Sequence, residues 1–386
     1  MRFLPSTLLF IAATTLAIGS AFAQEQYDYT FGADARAFAM GGAGLAVTRN
    51  QTQYERRFNP ASLAFNNRGF SLYAPSFSFR ADGAISTQKA YGYILGGADI
   101  SDTTDLVRRF AEEDSVFGFN GNAGFRVGAF ELQVGGVAKG RLLPNASLSN
   151  WARQGANLAN VPGDAQADVL GAGYLTLPSI AYAVKIPIAA KDDDVAKGYD
   201  ASVGLRVRFL QSYYTRYFVN QGVVLGNIDP IRAPEMNGRE FIRENGVAAD
   251  LGFLFRPRAG KGLSAAIVTQ NLVKPNVAFR ASNAGLAGYQ GRIGSNEEFD
   301  LLQTTISVGT AYETGGLTLA ADIMDIASAT RPVDLRFGGE QRFGSAFALR
   351  GGYSSNTGIT FGAGIFGFDF AFGERLPLEV NKSLRF

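Results

Sequence analysis

The side chains that most often activate nucleophiles or bind soft metals do not occur in this sequence: its 386 residues include no His and no Cys. Without imidazole there is no Ser-His or Cys-His pair, and without thiols there is no disulfide, thiol chemistry or iron–sulfur ligation. Carboxylates and guanidinium groups remain. Those with readable spacing stand inside runs that alternate residue by residue: Arg206 and Arg208, Asp322, Arg336, Glu340 and Arg342, Arg350, and Asp369. Their spacing does not single out the paired carboxylates of a hydrolase, and alternation instead marks them as charges lining a wet interior. No enzymatic activity and no cofactor is expected.

Two further patterns resemble sites. Gly362-Ala363-Gly364-Ile365-Phe366-Gly367 matches the dinucleotide fingerprint, but that motif needs a helix after its strand, and here a Phe-alternating strand runs on. Asp192-Asp193-Asp194 would suit a hard cation, yet three carboxylates between Lys191 and Lys197 read as a solvated turn, so no metal is expected.

The elements that must position the alternating charges are strands. Ile306, Val308, Thr310 and Tyr312 alternate with Thr305, Ser307, Gly309 and Ala311; Val203, Leu205, Val207 and Phe209 alternate with Gly204, Arg206 and Arg208. If Gly344-Ser345-Ala346 is a three-residue hairpin loop, Phe343 faces Phe347, Gln341 faces Leu349 and Glu340 faces Arg350. Near the end, Phe366, Phe368, Phe370 and Phe372 share one face, and a last strand pairs Phe370 with Val380 and leaves Lys382 beside Phe368. Fifteen strands are expected near 37–47, 68–81, 85–96, 117–128, 129–139, 170–188, 199–218, 245–257, 261–273, 301–313, 316–326, 332–343, 347–354, 359–372 and 377–386. Bacterial barrels have even counts, so the first belongs to an inserted segment and about 14 form the wall. A helix is expected at 102–114.

Composition restricts the surroundings of such strands. Charged residues make up 18% and hydrophobic ones 46%, with 47 Gly and 31 Phe, which suits an apolar surface facing something other than water. A net charge of +2 gives no field for polyanions, so nucleic acid is not an expected partner. Arg2, the apolar stretch from Leu8 to Ile18, and Ala21-Phe22-Ala23 form a secretory signal with a mature start at Gln24. No later run reaches 18 apolar residues, so no helical span is expected. A soluble sandwich also alternates, but it seldom carries Arg and Glu in strand centres. A transmembrane barrel puts its greasy face to lipid and its polar face to a lumen. The expected class is therefore all-β: an antiparallel transmembrane β-barrel of about 14 strands with an N-terminal segment in the lumen. Its expected parts are a signal peptide (1–23), a Gly/Ala-rich segment (24–67) and an outer-membrane barrel (68–386). Leu384 and the terminal Phe386 fit a barrel-assembly signal, which makes membrane lipid and the barrel-assembly machinery expected partners. Long connections near 140–169, 219–244 and 281–300 fall on one side. Strand parity from the C-terminus puts that side in the periplasm, so either one tail strand is miscounted or the barrel departs from the usual rule of long extracellular loops; the sequence fits the shared side better than its identity. Tyr213, Tyr214, Tyr217 and Phe218 read as an interface girdle or as support for a loop.

The block Arg36-Ala37-Phe38-Ala39-Met40-Gly41-Gly42-Ala43-Gly44-Leu45-Ala46, followed by Asn59-Pro60-Ala61, is too small-chained for lipid contact. It reads either as a lumenal segment or as a first strand and its turn. On these residues the chain resembles outer-membrane barrels of the FadL-like superfamily, and in appearance most of all the PorV-like and TraF-like families. Thr269-Gln270-Asn271-Leu272 adds to the TraF-like resemblance. The resemblance implies a lumenal plug that gates hydrophobic molecules, or a barrel that serves secretion or attachment. Two functions follow. The first is a plugged channel for small hydrophobic or amphipathic compounds, with the N-terminal segment near 31–64, including Asn59, Pro60 and Ala61, as its gate and Arg336, Glu340 and Arg350 holding that segment by charge pairing. The other is a structural or docking barrel of a conjugal-transfer or secretion apparatus, with an envelope protein as partner.

Overall fold

The computed structural model describes residues 35–49, 58–65, 69–82, 115–188, 198–225, 227, 231–232, 238–274, 302, 304–328, 332–366, 368–373 and 379–382. The alternating runs form strands β1 (Phe70–Asp82), β2 (Ser115–Val127), β3 (Phe130–Pro144), β4 (Ala167–Pro187), β5 (Tyr199–Val219), β6 (Ile231–Arg232), β7 (Ile242–Pro257), β8 (Gly262–Val273), β9 (Thr305–Thr314), β10 (Leu317–Met324), β11 (Asp334–Phe343), β12 (Phe347–Ser354), β13 (Gly358–Ile365), β14 (Phe368–Gly373) and β15 (Glu379–Lys382). Fourteen of them join neighbour to neighbour in one antiparallel meander, and β6 pairs only with the end of β5. β1 and β15 are the sheet's edges among the described residues.

Burial is inverted relative to a soluble sheet. On β9 the small and polar Thr305, Ser307, Gly309, Ala311 and Glu313 are buried, while Tyr312 is exposed. On β11 and β12 Asp334, Arg336, Glu340 and Arg350 are buried, while Phe337, Phe343, Phe347 and Leu349 are exposed. A sandwich would bury the greasy set against a second sheet; here that set lies on the outside. The inner face instead carries the N-terminal segment. Helix α1 (Ala35–Ala39) packs on β12 to β15, and the 3-10 turn Pro60–Phe65 packs on β4, β5 and β7. One short segment whose two arms touch strands as far apart in the meander as β4 and β15 fits a sheet curled around it, as in an all-β barrel wall. Residues 37–47 are thus helix and turns, with no strand of their own.

The hairpin register follows the odd loop: Phe343 opposes Phe347, Gln341 opposes Leu349, and Glu340 opposes Arg350. Phe370 opposes Val380 and Phe368 opposes Lys382. The expected single strand 359–372 is two strands. Phe366 turns the chain with φ 48° and is 80% exposed, so its place in the Phe stripe was misleading. That extra reversal corrects the parity. The long connections β1–β2, β3–β4, β5–β7 and β8–β9 share one end, and β15 runs toward the opposite, short-turn end. β1 pairs directly with β2; the expected strand 85–96 and helix 102–114, the signal segment, Asp192 to Asp194, Leu384 and Phe386 lie outside the described residues.

Glycine lets the inner segment sit against the wall. A Cβ on Gly204 would collide with Pro60 and Ala61, and one on Gly352 with Met40 and Gly41. Gly351, on the outer side of β12, has only ordinary contacts at 3.9 Å and beyond. Gly204→Val is therefore expected to destabilise the fold by about 1–3 kcal/mol through overpacking, whereas Gly351→Ala stays within about 0.5 kcal/mol. Urea unfolding in detergent compares the two, and equal losses would contradict the seat.

Candidate functional site: the charge-locked inner segment

The inner segment is held by side chains from the wall at successive positions. Arg36 makes a two-pronged pair with Glu340, Nε to Oε2 at 2.9 Å and Nη2 to Oε1 at 3.1 Å. Glu340 also accepts from Arg350 Nε at 2.7 Å and Arg342 Nε at 2.9 Å, and Arg350 Nη1 continues to Asp369 Oδ1 at 2.8 Å. Arg36 and Glu340 are 0% and 1% exposed. A carboxylate surrounded by three guanidinium groups accepts charge-assisted bonds at both oxygens.

Further along, the backbone itself is bound. Thr360 Oγ1 accepts from Gly41 N at 3.1 Å and donates to Ala39 O at 3.2 Å. Arg336, paired with Asp334 at 2.6 Å, donates to Gly42 O at 3.3 Å. Asp322 Oδ2 accepts from Gly44 N at 2.6 Å and Leu45 N at 3.0 Å, while Glu313 accepts from the backbone of Thr48 and Arg49 at 3.1 and 3.0 Å. The backbone of this irregular segment thus finds wall groups in place of a ladder, as buried amides require.

The residues expected at a gate hold the segment together. Asn59 Nδ2 donates to Leu45 O at 2.9 Å, its Oδ1 accepts from Ala61 N at 3.0 Å, and Ala61 O accepts from Ser202 Oγ at 2.9 Å. Asn59, Pro60 and Ala61 are all buried. Asn59 therefore ties the two arms of the segment to each other, and Pro60 and Ala61 rest on Gly204 and Gly252 of β5 and β7.

The other expected inner charges are also paired, away from the segment. Arg206 meets Glu131 at 2.7 Å, and Arg208 meets Asp250 at 2.8 Å and Asn271 Oδ1 at 2.5 Å. Asn271, from the Thr269-Gln270-Asn271-Leu272 motif, takes φ 52° at a register shift between β7 and β8, and its N–H donates to Asp250 at 2.9 Å. The motif is a bulge that aims an amide at the Arg208 pair. Nearer the long-connection end Arg216 and Asp168 form a fully buried pair at 2.7 Å. Tyr214 and Phe218 are buried beside them, so of the four expected girdle aromatics only Tyr213 and Tyr217 face outward. Helix α2 (Ala146–Arg153), capped by Asn145, packs Leu148 and Trp151 over Val219.

Arg36, Glu131, Asp168, Arg216, Asp250 and Glu313 were not singled out as inner charges from the sequence. A usable signal existed for Glu131, Asp250 and Glu313, which fall on the small or polar phase of their strands, whereas Asp168 and Arg216 share their phase with Leu170, Tyr174, Leu210 and Tyr214. Arg36, the one cation between Phe31 and Val47, carried a weaker one.

An all-β wall curled around a charge-locked N-terminal segment defines a plugged barrel. The chain belongs to the family described as "F plasmid transfer operon, TraF, protein", whose model matches residues 12–325. No curated protein matches the chain.

Because Glu340 serves three cations, removing its charge leaves them buried without an anion. Glu340→Gln is expected to cost about 3–5 kcal/mol. Arg342→Ala, at a position 24% exposed, is expected to cost under about 1 kcal/mol. Chemical denaturation of both variants checks this, and similar midpoints would contradict the lock.

Proposed function

We propose that the chain is an outer-membrane barrel, sealed by its own N-terminal segment, that acts as a structural or docking component of a plasmid-transfer apparatus. The family supports the assignment to transfer. The outward face supports the membrane. Between Tyr199 and Phe209 the outward positions of β5 are apolar or Ala; at about 3.3 Å per residue and a tilt of roughly 40° this run is about 25 Å tall, the height of the apolar band of outer-membrane barrels. Beyond it the outward residues become Gln211, Tyr213, Thr215 and Tyr217. Long loops outside and short turns in the periplasm is the usual arrangement of such barrels, and we adopt it for the shared end of the long connections.

The observation that carries the docking reading is the occupied interior. Plug and wall interlock through glycine contacts and buried ion pairs, and Leu302, next to β9, packs inside against Tyr174, Leu210 and Ala248. A route for hydrophobic compounds draws no support from this arrangement: the residues that would line it are charged, and they bond to one another. Asn59, Pro60 and Ala61 are assigned to plug retention.

In vesicles of defined lipid, the reconstituted protein is expected to leave uptake of a fluorescent fatty acid at the protein-free rate, while loss of the gene lowers plasmid-transfer frequency. Uptake that rises with protein content, together with unchanged transfer, would overturn this reading in favour of a channel.

A further inference from the structure

The short-turn end separates its charges by depth. Among the described residues, three carboxylates near this end lie beneath the surface: Asp200, Glu313 and Glu340 are each at most 3% exposed. Cations cover them. Lys185, 47% exposed, and Arg258 share Asp200 at 2.6 and 2.9 Å. Arg256 lies over the ring of Phe65, within electrostatic reach of Asp200 and Glu313, and its Nε has no hydrogen-bond partner among the described residues. Arg49 donates through its backbone to Glu313 and through Nη1 to Gly315 O in the β9–β10 turn. Arg342 stands next to that turn, where its N–H donates to Gly316 O at 2.8 Å, and Lys261 is exposed in the β7–β8 turn. Among the described residues, these six cations stand over three submerged carboxylates, while Glu131 and Asp369 near the same end are taken up by Arg206 and Arg350, and that leaves a positive rim.

Their register decides who can reach them. Lys185 falls on the same strand face as the buried Ala181 and Ala183, Arg256 on that of Leu254, and Arg342 on that of Glu340. These are inner-face positions, and the outward neighbours Ile186, Phe255 and Phe343 are apolar and exposed. Lipid headgroups packed around the wall meet the outward set; the cations open along the barrel axis instead.

We propose that this rim is a docking face for an acidic polypeptide segment of an envelope partner that approaches along the barrel axis from the short-turn side. Clustered, partly desolvated cations backed by buried carboxylates are positioned in advance, which favours a carboxylate-rich chain and gives an association that weakens with salt. The proposal builds on the docking reading above, and the envelope barrel supplies only the direction of approach.

The test measures binding of a fluorescein-labelled oligo-glutamate peptide to the full-length mature protein in a neutral detergent, with an oligo-lysine peptide and inorganic phosphate as controls. Binding of oligo-glutamate alone, lost at high salt and weakened roughly tenfold in Lys185→Glu/Lys261→Glu, is the expected result. Lys261→Glu by itself, at an exposed turn position, keeps the test readable if the double variant melts early. Absence of oligo-glutamate binding, equal binding by both variants, or displacement by phosphate would overturn the proposal. So would a charge dependence seen only on phosphatidylglycerol vesicles and not on phosphatidylcholine ones, which would assign the rim to lipid. Failure to enter either vesicle would refute the membrane reading and leave the peptide result standing on its own.

Discussion

A charge removed from water must be matched by an opposite charge or by hydrogen bonds, and that constraint organises this molecule. Glu340 illustrates it: one carboxylate on β11 collects Arg36 from the N-terminal segment, Arg350 from β12 and Arg342 from its own strand. Arg36 and Arg350 find their anion on another element, and Glu340 is not satisfied by its own strand alone. Wall and plug therefore stabilise each other, and the same holds at Asp322 and Glu313, which accept from the plug backbone.

The apolar residues that would fill a soluble core are turned outward, so the interior is built from other materials. Glycine on the wall brings backbone against backbone at Gly204, Gly252, Gly338 and Gly352. A modest apolar cluster of Met40, Leu45, Val47 and Phe65 against Leu254, Val268 and Met324 supplies what hydrophobic contact the inside has. The large glycine content thus serves close approach, and the aromatic content serves the outer face. A plug fixed this way is part of the wall's own packing, which is the arrangement the proposed docking role builds on.

Much of the wall was legible because strand alternation is local. Period two marked β5, β9 and β11, and an odd loop at Gly344 to Ala346 set the β11–β12 register without knowledge of the rest. The β13–β14 turn was hidden because Phe366 keeps the Phe spacing while adopting a left-handed conformation that sequence assigns to Gly or Asn. The inner segment showed its small residues, and Arg336, Glu340 and Arg350 were legible as the wall charges that hold it, but which group each one meets was not. Arg36 and Glu340 stand 304 positions apart, and no spacing rule joins them. The role proposed for Asn59 also differs from a gate for the same reason, since Leu45 O, its acceptor, is known only once the segment has folded back.

The central claim is that the N-terminal segment is as fixed as the wall around it, and hydrogen–deuterium exchange of the folded protein in detergent tests this most directly. Amides of Gly41, Gly44, Leu45 and Thr48, each donating to a wall side chain, should exchange as slowly as those of β9 and β10. Exchange of the segment while the wall stays protected would mean that it swings free, and would contradict the account.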